Sequence, residues 1–211
     1  MLEILPLFGI AGAITVGAIS PGPSFLMVAR TAVASSRSAG LAAALGMGVG
    51  GVFFAVAALA GLQAVFVAVP GVYLALKAMG GLYLVYLGCR IWKGASQPLA
   101  FQSEASEPKK RNARRSFAMA LGTQVSNPKA AIVYASVFAA FLPQNFPLSL
   151  STVTVVVIFM IEAGWYALVA VALSSAGPRA AYLRYKAWID RSAGGVMTIL
   201  GVKLVASTRQ V

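Results

Sequence analysis

The sequence contains no histidine and a single cysteine, Cys89. One thiol cannot close an internal disulfide, and without histidine a Cys/His metal site has no ligand set. Acidic residues are scarce too: Glu3, Glu104, Glu107, Glu162 and Asp190 are the full set. With the 17 Lys and Arg they make 10% of the 211 residues, whereas a soluble domain carries about 25% charged residues. That is too little charge to cover a water-facing surface.

Long stretches have no charge at all. Residues 4–29, 38–76 and 130–161 contain no Lys, Arg, Asp or Glu. A helix needs roughly 20 mainly apolar residues to cross a bilayer, so each stretch can hold at least one span. The runs are continuously apolar and do not alternate with period two, which argues against a strand barrel. The chain reads as an all-α integral membrane protein. Its net charge of +12 would suggest nucleic acid in a soluble protein, but here the cations sit between apolar segments, where orientation rules account for them. No nucleic-acid partner is expected. Glu3 stands where a secretory signal would be basic, and the apolar run behind it is too long for such a signal. The first span is therefore expected to stay in the mature chain.

Charge gaps and helix breakers divide the chain into six spans, at 4–29, 39–69, 72–92, 117–142, 148–174 and 193–207. The whole chain is expected to form one transmembrane domain. Its first, third and fifth connections are basic, carrying Arg30 and Arg37, then Lys93 to Arg115, then Arg179 to Arg191; the second and fourth carry no charge. Basic connections stay cytoplasmic, so both termini are expected outside, with Arg209 a small violation. The Ser/Pro/Lys-rich segment 94–116 reads as a flexible cytoplasmic loop, its charge a topology signal more than a lipid or nucleic-acid site. Arg30 and Lys77 near span ends fit snorkelling, and Trp92, Tyr166 and Trp188 fit interfacial anchoring.

Two breaks interrupt the spans. Ser20-Pro21-Gly22-Pro23 lies inside the first, and each proline removes an N–H and clashes with the carbonyl one turn back. Ser126-Asn127-Pro128-Lys129 interrupts the fourth. Carbonyls freed in hydrocarbon need partners, so such breaks face protein or a wet cavity. If the chain is two halves of three spans, the first and fourth correspond, and an odd span count makes the halves inverted. Breaks at matching positions of a 3+3 inverted repeat point to a transporter's midplane binding site. The breaks are also open to a plainer reading, as packing kinks.

Lys129 and Glu162 fall near mid-span, at a rise of about 1.5 Å per residue. An unpaired charge there costs at least ~2.5–3.5 kcal/mol, so each needs a partner or water. One reading pairs them structurally. The other makes Glu162 the proton-coupling or ammonium-binding group and Lys129, with Asn127, the group facing a carboxylate. Gly46 and Gly50 form a GxxxG flanked by Gly40, Ala44 and Gly48, suited to a close internal contact or to a homo-oligomer face.

These motifs also resemble the LysE/RhtB family of amino-acid exporters. The resemblance rests on Ser20-Pro21-Gly22-Pro23 with Arg30, the run from Gly40 to Gly46, Asn127-Pro128-Lys129-Ala130-Ala131, and Phe141-Leu142-Pro143-Gln144. It implies a bacterial inner-membrane exporter of amino acids, driven by protons and needing no cofactor, with Ser20, Pro21, Gly22, Pro23, Asn127, Pro128 and Lys129 on the translocation path. Relatives that export lysine or arginine carry an acid in the second span and another after the Asn-Pro. Here residues 46–51 and 130–134 hold none, which favours a neutral substrate such as threonine, homoserine or a branched-chain amino acid. Metal export is disfavoured by the missing histidine. Outside transport, the alternatives are a membrane-embedded enzyme and a non-transporting assembly subunit. An enzyme would need a nucleophile with its base or clustered metal ligands, and the spans offer one carboxylate.

Overall fold

A computed structural model describes residues 5–68, 72–97, 112–143 and 145–208. Among these residues the chain is helical throughout, with eight helices and no strand. They are α1 (Leu5–Ile19), α2 (Pro23–Ala34), α3 (Arg37–Ala68), α4 (Tyr73–Gly94), α5 (Ala113–Val125), α6 (Pro128–Phe141), α7 (Leu148–Leu173) and α8 (Ala176–Ser207). Both breaks fall where the prolines require them. α1 and α2 meet at a 55° bend, with Gly22 extended at φ −153° and Pro23 at the first helical position of α2, where its missing N–H is harmless. Asn127 caps α6 ahead of Pro128. Pro143 follows the end of α6, as expected for a residue that cannot continue a helix.

Segments of α3 (Arg37–Leu62), α4 (Leu74–Gly94) and α7 (Leu148–Leu173) are each long and apolar enough to cross a membrane, and α1 with α2 qualifies as one bent span. Large apolar side chains such as Phe53, Val56, Met160, Leu168 and Ile199 are exposed around the bundle. In water such a surface would aggregate; in a bilayer it is solvated. The molecule is a multi-pass helical membrane protein. One sequence expectation fails here. Residues 176–192, taken as a basic loop before a span starting at 193, are helical and continuous with it in α8. Charge does not break a helix, Pro178 sits in the first turn, and Lys186 with Asp190 makes an i,i+4 pair. At about 1.5 Å per residue α8 is about 48 Å long, more than the ~30 Å hydrocarbon core, so its basic N-terminal part can project from the membrane. The charged centre of the expected 94–116 loop, residues 98–111, lies outside the described residues, as do positions 69–71 and 144 of the uncharged connections.

Two apolar clusters stack along the helices. One gathers Ile10, Ile14, Ala55, Val133, Phe138, Ile158 and Met197; the other gathers Phe25, Val28, Met47, Ala120, Tyr166 and Ala170. Each of four segments passes from one cluster to the other across a short polar or glycine stretch. Ile14 leads through Ser20–Ser24 to Phe25, and Ala120 through Gln124–Lys129 to Val133. Met47 leads past Gly51 to Ala55, and Ile158 past Glu162 to Tyr166. The site is the layer between two cores. The order also shows that the α1–α2 segment runs opposite to α5–α6, and α3 opposite to α7.

Glycines let these helices close up. A Cβ on Gly51 would lie 2.8 Å from the Tyr134 hydroxyl and 2.9 Å from Glu162 Cγ. One on Gly48 would meet Ala163 at 2.8 Å, and one on Gly46 would strike the Phe117 carbonyl. The GxxxG face of α3 is therefore used inside the chain, against α5 and α7. Gly80 faces the Ser136 carbonyl of α6 in the same way, and Gly88 and Gly194 bring α4 and α8 together.

Candidate functional site

The break between α1 and α2 places Ser24 in the first turn of α2; that between α5 and α6 places Gln124 and Asn127 beside it. A hydrogen-bonded chain joins them. Asn127 Nδ2 donates to Ser24 Oγ at 2.8 Å, and Ser24 Oγ donates to Gln124 Oε1. Gln124 Nε2 then donates to Glu162 Oε2 at 3.3 Å, and the Tyr134 hydroxyl donates to Glu162 Oε1 at 2.9 Å. Four helices thus supply one continuous polar path ending on a carboxyl that is 3% exposed. Full satisfaction is what low-dielectric surroundings demand of such a path.

Lys129 answers a different need. It sits in the first turn of α6, where the helix dipole disfavours a cation. Its side chain turns to the broken end of α1, where Nζ donates to the Ser20 carbonyl at 2.8 Å and the Gly17 carbonyl at 3.4 Å. The ammonium thus caps the negative pole of α1, while the backbone N–H of Lys129 donates to Asn127 Oδ1 at 3.0 Å. Lys129 and Glu162 share a cavity without forming an ion pair with each other in this structure. Beside the bend, a Cβ on Gly22 would come within 3.3 Å of the Lys129 stem. Glycine leaves room for the lysine to pass.

Two spaces adjoin this layer. The inner one, lined by Ser20, Gly22, Ser24, Asn127, Lys129 and Glu162 among others, encloses about 30 Å³. That suits a water or two and is too small for an amino acid. The outer one, about 460 Å³, is a vestibule lined by Pro21, Pro23, Pro128, Arg90, Lys186 and Asp190 among others. Ser20, Gly22, Asn127 and Lys129 line both. All eight positions singled out in the sequence thus border one cavity or the other. Sequence reasoning missed Ser24, Gln124, Tyr134 and Tyr166. Tyr166, read as an interfacial anchor, is 4% exposed and lines the inner space, whereas Trp92 and Trp188 are exposed. Ser24 and Gln124 carried a usable signal, a polar residue within four positions of a proline in an apolar span. The tyrosines carried none.

The sequence matches the LysE type translocator family over residues 15–208, a stretch that takes in both breaks and every residue of the polar layer. The chain belongs to this family. It is a membrane transporter and not an enzyme. The translocator is similar to the "Threonine efflux protein" of Escherichia coli, 31% identical over 192 residues, covering 91% of this chain and 93% of that protein. It is likewise similar to the "Threonine efflux protein" of Salmonella typhi, 30% identical over 200 residues and 95% and 97% of the two chains. No solved structure matches the translocator.

Proposed function

We propose that this translocator exports a neutral amino acid, threonine or a close relative, across the bacterial inner membrane in exchange for protons. The observation that carries the reading is the convergence of both helix breaks, Lys129 and Glu162 on one cavity. The uncapped N-terminus of α2 and the Lys129 ammonium suit a substrate carboxylate. Glu162 suits its ammonium, or the proton that replaces it. Ile14, Phe25 and Val133 leave an uncharged lining for the side chain, with no second carboxylate for a dibasic substrate.

The two halves act as inverted repeats, with α1–α2, α3 and α4 matching α5–α6, α7 and α8. The opposed directions of the matching segments support this, as do the mutual packing of α3 with α7 and α4 with α8 and the crossed contacts of α1 with α6 and α2 with α5. In alternating access the breaks are the hinges: the vestibule has room for a substrate while the inner space, as it stands, has not. Arg90 and Lys186 on its lining support reading the vestibule as the basic, cytoplasmic face. Both termini are then outside, and reporter domains fused at Ser103 and after Val211 should report opposite sides of the membrane. Same-side reporters would refute the six-span arrangement.

The function is tested in proteoliposomes with radiolabelled amino acids, with and without an imposed pH gradient. Threonine or another neutral amino acid should move, faster with the gradient, and lysine and arginine should not. Transport of lysine in preference to all neutral amino acids would overturn the substrate assignment.

A further inference from the structure

Asp190 stands outside the polar layer, on α8, and is 3% exposed. Its Oδ2 accepts from Lys186 Nζ at 2.7 Å, and that ammonium also donates to the Ala95 carbonyl at the end of α4, at 3.2 Å. Two of the three ammonium donors are thereby used. The other carboxylate oxygen, Oδ1, is buried with no hydrogen-bond partner. A buried carboxyl oxygen without a donor is costly, and a group left in that condition calls for an explanation, such as a bound ligand or ion. Asp190 lines the vestibule, as do Arg90 from α4 and Lys129 from α6. At about 460 Å³ that space falls in the roughly 300–1,000 Å³ range of small-molecule sites, and Tyr83 and Leu87 give it an apolar wall.

We propose that Asp190 and Arg90 form a second amino-acid site in the vestibule, occupied before the substrate reaches the inner cavity. Asp190 Oδ1 accepts from the α-ammonium, and the Arg90 guanidinium takes the carboxylate. An acid with an unused oxygen and a guanidinium on one small space complement a zwitterion. Lys129 lines both spaces, so a carboxylate leaving Arg90 meets Lys129 next. The site rests on the export reading and adds to it the place where substrate is captured.

Uptake of radiolabelled L-threonine from the vestibular side of oriented vesicles tests the assignment. Asp190→Asn should raise KM about tenfold, the size of one lost hydrogen bond to a charged group, with a much smaller fall in maximal rate. Asparagine removes the counter-charge of Lys186, so Asp190→Asn with Lys186→Met is measured beside it and should show the same rise. Arg90→Gln should raise KM as well. A wild-type KM in these variants, or a loss confined to maximal rate, overturns the vestibular site and leaves the export reading standing. Wild-type vesicles that move no amino acid overturn both.

Discussion

Replacing Glu162 by glutamine should cut gradient-driven threonine export at least about tenfold, the order expected for losing a hydrogen bond to a charged group, and should make the residual flux indifferent to pH. The side chain is isosteric, and its carboxamide oxygen can accept from Gln124 Nε2 while its NH2 donates to the Tyr134 hydroxyl oxygen, so the thermal midpoint in detergent should stay near that of the wild type. Proteoliposome flux at several imposed gradients, read beside the melting curve, separates coupling from folding. The geometry also bears on what a second substitution should do. Glu162 is held by Tyr134 and Gln124, and Lys129 by the carbonyls of α1. Neutralising Lys129 as well should therefore not restore transport. Coupled export in Lys129→Met/Glu162→Gln would refute the proton-carrying role.

Lys129→Met should be the more damaging single change. It removes the donor that satisfies the Gly17 and Ser20 carbonyls at the broken end of α1. A buried acceptor left unsatisfied costs about 1–3 kcal/mol, so both the melting midpoint and the transport rate should fall. Lys129→Arg keeps a donor for those carbonyls and should recover most of the stability. A methionine variant as stable as the wild type would show that the carbonyls find other partners and that the lysine does not hold the break.

Much of this organisation was legible in the residues. Charge-free runs revealed the membrane helices, and the two proline-containing motifs revealed the breaks, because hydropathy and a missing N–H are local properties. Local signals misled in two places. The basic stretch before residue 193 was read as a loop, yet its residues are compatible with helix and simply extend α8. Tyr166 was read as an anchor because an aromatic residue near a span end is commonly one. Its place among α2, α3 and α7 is set by packing that no window along the chain contains.

What the sequence determined by itself was where the backbone must bend and that Lys129 and Glu162 fall within apolar stretches. What the tertiary structure decided was the partner of each. Ser24 meets Gln124 from 100 residues away, Asn127 meets Ser24 across 103, and Lys129 reaches Ser20 across 109. Lys129 and Glu162 were both required to find company in the membrane. Whether they would find it in each other depended on how the broken helices cross. The close approach of α3 through Gly51 sets Tyr134 and Glu162 side by side, while the bend at Gly22 brings the carbonyls of α1 within reach of the ammonium. Burial cost is fixed residue by residue, but hydrogen bonds between helices exist only once the helices have packed.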